Sequence, residues 1–231
     1  GAAGADNTSA IKFNGGVSPQ TNVTELWNGS SWTNTTSSNV TGYLVGGHGT
    51  TSDALKFGGS TPPGGVKANT EEWTGAGTPI GAWSTGGDMN TARYGIGGIG
   101  ITTAALAVGG RNPSYGNGVA NTESYNGTNW TEVNDLSTAR HSVQSSATSS
   151  TAALVFGGED ASRLAVTEVW NGTNWTEVND LNTGRGEGGG AGTSTAALAF
   201  AGASSPTSIL AITESWNGTN WTEVNDLNTA R

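Results

Sequence analysis

Trp216-Asn-Gly-Thr-Asn-Trp-Thr-Glu-Val-Asn-Asp-Leu-Asn-Thr-Ala-Arg231 closes the chain, and the same sixteen residues have already been written twice. They occur at Trp170 to Arg185 with one change and at Tyr125 to Arg140 with two; looser copies begin at Trp27 and Trp73. Asn-Gly between two runs of Thr, Val, Trp and Tyr is the strongest short-range hairpin signal, because Asn tolerates and Gly freely adopts positive φ. Val166 to Trp170 therefore reads as one strand and Asn174 to Val178 as the next, joined by a type I′ turn at Asn171-Gly172. The run Asn179-Asp-Leu-Asn-Thr-Gly184 carries turn residues that end the strand.

Two further markers keep step with this phrase. An apolar run ending in small residues appears at Ala10–Gly16, Ala54–Gly59, Ala104–Gly110, Ala153–Gly158 and Ala197–Gly202. From the first small residue of each pair (Gly15, Gly58, Gly109, Gly157, Ala201) the steps are 43, 51, 48 and 44, and the step wrapped past the end is 45. Thr-Glu-x-(Trp/Tyr) recurs with Glu25, Glu71, Glu123, Glu168 and Glu214. The aromatic slots Trp27, Trp32, Trp73, Trp83, Tyr125, Trp130, Trp170, Trp175, Trp216 and Trp221 use every Trp in the chain. A period of 40–50 residues in short strands marks a propeller with one four-stranded sheet per repeat. The expectation is an all-β fold: one domain over 1–231, a five-bladed β-propeller of four antiparallel strands per blade. The blades run approximately 1–40, 41–93, 94–140, 141–185 and 186–231. Within a blade, strand one is small and polar, as at the crowded centre, strand two is apolar and buried on both faces, and the hairpin supplies strands three and four. The N-terminus supplies strand one of the first blade, and the first and last blades are expected to meet by side-chain contact without sharing a strand.

The Gly-Gly doublet after an apolar strand, the aromatic pair downstream and the Arg before the next repeat (Arg93, Arg140, Arg185, Arg231) resemble the kelch repeat over the whole chain. Repeat one departs, with Ser37-Ser-Asn-Val40 where Thr-Ala-Arg is due. The repeated Thr-Asn-Trp-Thr-Glu-Val-Asn-Asp-Leu wording is also similar to kelch-like structural proteins of marine bacteriophages. The resemblance implies a binding face formed by the loops after the Gly-Gly pairs together with the residues just after each Arg. Here that face would hold Tyr94, Arg111, Tyr115, His141, Glu159, Asp160 and Arg163. The copper chemistry of kelch-fold oxidases needs a Cys crosslink, which this chain cannot make.

Composition excludes other classes. Net charge is −9 with no basic run, so phosphate neutralisation, and with it nucleic-acid binding, is not expected. No stretch approaches the ~20 apolar residues of a membrane span. With no Cys there is no disulfide, thiolate metal site or Cys nucleophile. The chain opens at Gly1 without a visible signal peptide, which reads as a processed product or a segment. His48 and His141 are the only histidines; His48 is expected in the turn between strands one and two and His141 after the Arg at the other end of the blade, so they fall on opposite faces and offer no metal site or catalytic triad. The repeated acids Glu25, Glu71, Glu123, Glu168 and Glu214 read as a structural contact to Arg or backbone amides, since a catalytic acid needs no five copies. Glu132, Glu177 and Glu223 share that reading. Glu159 and Asp160 form the sole candidate glycosidase pair, without a supporting acid, and the Ser-x-Asp-x-Gly-x-Thr-Trp boxes of sialidases are absent. The Asn-Gly-Thr sequons read as turns.

The loops after the Gly-Gly pairs vary most between repeats, and loops on a rigid scaffold are where recognition resides. The reading is a non-enzymatic binding or display module without cofactor or metal, on a virion exterior or a cell surface. Its partner would be a glycan, a protein surface or neighbouring subunits of a larger assembly. The alternatives are a purely structural decoration or spacer domain and, as a rival class, a carbohydrate-active enzyme.

Overall fold

The computed structural model describes residues 1–16, 20–75, 81–115 and 118–231. Five four-stranded antiparallel sheets, each from contiguous sequence, form a five-bladed β-propeller. Blade one contains Ala2–Asp6, Ser9–Gly15, Thr21–Trp27 and Trp32–Thr35. Blade two contains Gly46–Gly49, Asp53–Phe57, Thr70–Thr74 and Ala82–Thr85. Blade three contains Gly97–Ile101, Ala104–Val108, Thr122–Tyr125 and Trp130–Glu132. Blade four contains Gln144–Ser149, Ala152–Phe156, Thr167–Trp170 and Trp175–Val178; blade five contains Gly189–Gly192, Ala197–Phe200, Thr213–Trp216 and Trp221–Val224. The chain divides into two compact units, residues 1–107 with 123–132 and residues 108–122 with 133–231.

The hairpin forms as the phrase dictates, with one correction to its turn. Trp170 lies opposite Trp175 and Trp216 opposite Trp221. Positive φ falls on Gly172 (95°) and Gly218 (92°), but on neither preceding Asn. Because Trp170 pairs with Trp175 and the Asn171 amide donates to the Asn174 carbonyl, the central residues are Gly172 and Thr173 and not Asn171 and Gly172; a single positive φ at the first of them is the sign pattern of type II′, not of type I′. Asn171 is spared the left-handed conformation because its Oδ1 is used locally: it accepts from the amides of Thr173 and Asn174 at 2.9 and 2.8 Å, an Asx turn.

Strand two is a solid apolar run in blades three and four, where both of its faces are covered. Leu154 and Phe156 face the next blade, where they join Ala197, Ala199, Trp216 and Trp221 in one core cluster. In the first unit Leu55 and Phe57 meet Ala105, Ala107, Tyr125 and Trp130 in the same way, as do Ile11 and Phe13 with Ala54, Trp73 and Trp83. The strand-four Trp is the wedge. Its ring stands edge-on to the Phe of the preceding blade, with centroids 5.2 Å apart for Phe13–Trp83, 5.0 Å for Phe57–Trp130 and 4.8 Å for Phe156–Trp221. Edge-to-face aromatic pairs at this spacing are worth roughly 0.5–1.5 kcal/mol beyond area burial. The indole Nε1 then donates to a Thr Oγ1 of the preceding blade: Trp83 to Thr24, Trp130 to Thr70, Trp175 to Thr122 and Trp221 to Thr167, at 2.9–3.1 Å.

Small residues in strand one follow from backbone approach between neighbouring blades. A Cβ on Gly98 would lie 2.8 Å from the Gly47 carbonyl, and one on Gly190 would lie 2.4 Å from the Ser145 carbonyl. His48, expected in a turn, lies within strand one of blade two instead, where burial lowers its pKa.

Every blade joint also buries one carboxylate. Arg93–Glu123 (2.6 Å), Arg140–Glu168 (2.6 Å) and Arg185–Glu214 (2.8 Å) join consecutive blades with both side chains fully buried. The same carboxylates accept from loop amides of the preceding blade: Asn90 and Thr91 on Glu123, Ser137 on Glu168, Asn182 and Thr183 on Glu214. Burial lowers the pKa of Arg140 and Arg185, and the facing carboxylate pulls it back up. Removing one partner of a buried pair strands the other charge. Glu168→Gln is therefore expected to destabilise the protein by roughly 3–5 kcal/mol, whereas the joint replacement of Arg140 and Glu168 by apolar residues of similar volume costs far less. Urea unfolding of the single and double variants measures both.

Candidate functional site

In the rim loops the first residue of a repeat, which follows the Arg where one is present, pairs with the residue after the paired small residues that follow strand two. Backbone bridges join Tyr43 to Ser60, His141 to Glu159 and Gly186 to Ala203. The bond pair for His141 and Glu159 measures 2.9 and 2.8 Å. In blades two, four and five these ties place the variable loop beside the first residue of the repeat. The next residue is left-handed in every case: Leu44 (φ 53°), Gly95 (64°), Ser142 (52°) and Glu187 (63°). Only Gly adopts this conformation at little cost, so Leu44, Ser142 and Glu187 are each held in it by their surroundings.

In the second unit these loops assemble a charged cluster. Glu159 faces an imidazole and a guanidinium: its Oε1 is 3.6 Å from His141 Nε2, and its Oε2 pairs with Arg163 Nη1. Arg163 Nη2 reaches Glu187 at 3.3 Å. Asp160 Oδ1 accepts from the Gly118 amide at 2.9 Å, which ties the blade-three loop to the blade-four loop. Gly118 is required there, since a Cβ would lie 2.7 Å from Arg140 Cα. Arg111 is bridged to Gly118, and its charge is felt at His141. His141 Nδ1 lies 3.0 Å from Ser142 Oγ.

Five of the expected residues, Arg111, His141, Glu159, Asp160 and Arg163, are thus brought together. Tyr94 belongs to the first unit, half-buried beside Arg93. Tyr115 ends the short 3₁₀ turn Pro113–Tyr115, and its side chain lies outside the described residues. So do residues 17–19 of the blade-one loop. Glu187 is the member that was not placed in the site from sequence, although it is an off-pattern acid directly after Arg185-Gly186. Its left-handed backbone aims it at Arg163, and no periodicity signals that.

One Glu159 oxygen faces the His141 ring and the other pairs with Arg163, and an Asp160 oxygen accepts from a backbone amide, so the adjacent acids are not arranged as a facing acid–base pair across a cleft. Among the described residues, no group of three or more His, Cys, Asp or Glu is placed to hold a metal ion. Glu187 is 58% exposed and Glu159 27%; their oxygens and the Arg163 guanidinium offer acceptors and donors at the rim.

No protein-family model matches the chain, and no curated protein matches it.

His141 is buried, and burial lowers its pKa against the opposing pull of Glu159; Arg111 and Arg163 lower it further, and Asp160 raises it. A depressed histidine is neutral in the fold and takes up its proton more readily unfolded. Its contribution to stability is therefore complete above about pH 6.5, the unfolded value, and is lost as pH falls from there through the folded value. Unfolding midpoints between pH 5 and 7.5 should fall with acidification, and His141→Gln should flatten that slope.

Proposed function

We propose that this chain is a non-enzymatic binding or display module of kelch-like type, standing on the exterior of a virion or cell and recognising a glycan or protein surface through its variable loops. One observation carries the reading. The recurring pairs Arg93–Glu123, Arg140–Glu168 and Arg185–Glu214 are consumed in the blade joints, whereas the off-pattern charges Arg111, Glu159, Asp160, Arg163 and Glu187 gather on one rim. A polar, hydrogen-bonding rim with both signs of charge suits hydroxyl- and amide-rich partners, which need donors and acceptors in fixed positions more than a deep apolar pocket.

The test is a glycan and surface-protein array probed with the chain and with Arg163→Ala. The reading expects binding that weakens at least tenfold in the variant, with an unchanged far-ultraviolet spectrum. Absence of binding by the parent chain, or equal binding by the two, would sink it.

A further inference from the structure

The four blade joints show what covers the leading face of a blade, and the leading face of blade five is left uncovered. At its equivalents Ile11, Leu55, Leu106 and Leu154 are at most 1% exposed, whereas Leu198 is 41% exposed. Phe13, Phe57 and Phe156 are fully buried, Phe200 only partly. Met89 and Leu181 are buried under the next blade's Trp; Leu227 instead lines a cavity of about 400 Å³ with Gly188, Gly189, Phe200 and Arg231. Arg93, Arg140 and Arg185 are fully buried, and Arg231 is exposed. Thr213 Oγ1, the counterpart of the four hydroxyls that accept an indole N–H, is buried without a partner. Cavity, orphaned hydroxyl and a guanidinium that has no carboxylate partner among the described residues together are the mould of one Trp and one Glu.

What fills it is narrowed by a rule visible in the joints: one cation per carboxylate. Where the preceding blade supplies Arg, the residue before the last position of the following strand two is Ala107, Val155 or Ala199, small and fully buried. Where the preceding blade ends in Ser37–Val40 and has no Arg, that residue is Lys56. Its ammonium pairs with Glu71 and donates to the Val40 carbonyl at 2.9 Å. Blade one has Lys at this place as well, and Lys12 already pairs with Glu25 at 2.7 Å. Seating a first blade on the Arg231 face would bury two cations against one carboxylate, an uncompensated charge in a dry joint. That charge count disfavours a blade with Lys at this position as the occupant of the Arg231 face.

We propose that the leading face of blade five is a docking surface for a further blade of the same repeat type, one that carries Thr-Glu-x-Trp with a hairpin Trp and has Ala or Val, not Lys, at the position of Val155. Its Trp enters the Phe200–Leu227 cavity and donates to Thr213, and its Glu accepts from Arg231 and from the amide of Asn228.

The experiment appends a second copy of residues 141–185 after Arg231 of the full chain, in two forms: with Val155 kept, and with Val155→Lys in the appended copy. The Val form is expected to raise the unfolding midpoint by several degrees and to shield its tryptophans from acrylamide. The Val155→Lys form should lose most of that gain, and so should the Val form carrying Arg231→Ala. The unextended chain is expected to sediment as a monomer whose acrylamide-accessible fluorescence drops with Trp32→Phe, since Trp32 is 47% exposed. Three results overturn the proposal. They are no gain from the Val form, equal gains from the Val and Lys forms, or an unextended chain that already covers Trp32, whether alone or by self-association.

Discussion

A carboxylate with no access to water sits in each described joint between blades, and the rest of the architecture is arranged so that it is satisfied. A buried carboxylate is tolerated only when paired and hydrogen-bonded. The Glu of Thr-Glu-x-Trp meets both needs at once, with a cation on one side and loop amides of the preceding blade on the other. Because those partners belong to the neighbouring blade, the joint specifies which surfaces meet and in what register. The wedge of Trp against Phe then supplies the apolar area, and the indole-to-Thr bond satisfies the polar edge that a buried Trp cannot leave unpaired. Hydrophobic contact alone would let blades slide over one another; the carboxylate does not.

Joint one–two shows that the requirement is for charge balance, not for arginine. Its first repeat has no Arg, and the cation arrives from the opposite direction as Lys56, threaded through strand two of the following blade. Burial lowers the pKa of that lysine, and Glu71 counters the shift by bond and by charge. Asn14 completes the exchange: it takes a left-handed conformation where other repeats have Gly and shares its Oδ1 with Ser38 and Lys56. Three substitutions scattered over two repeats thus describe one compensated event.

Much of this was legible in the sequence because a repeat is its own alignment. The period placed the five sheets, Thr-Glu-x-Trp and Asn-Gly placed the hairpins, and the solid apolar run at Ala153–Phe156 marked a strand covered on both faces. The turn type was misjudged at Asn171, where a side-chain hydrogen bond relieves the backbone of a positive φ that the dipeptide statistics would assign to it. His48 was misplaced because strand one is so short and small that its boundary carries no hydrophobic signal. The charged rim was partly legible: Glu159, Asp160 and Arg163 stand out as off-pattern, but Glu187 joins them through a left-handed residue that composition does not announce. The Lys56 substitution for Arg was invisible to a reading of one repeat at a time, since the two positions lie in different strands of different blades.

If the buried carboxylates hold the joints, the loop amides that they accept cannot exchange as loop amides do. Native-state hydrogen exchange at Asn39, Asn90, Ser137 and Asn182 measures this directly, because each lies outside a strand and donates to a Glu of the next blade. The account predicts protection comparable to the strand-two amides of Leu55 and Leu154, while Asn228, the fifth member of the series, exchanges freely. Exchange of all five at the rate of exposed loops would show that the carboxylates are bystanders and that apolar contact alone assembles the blades.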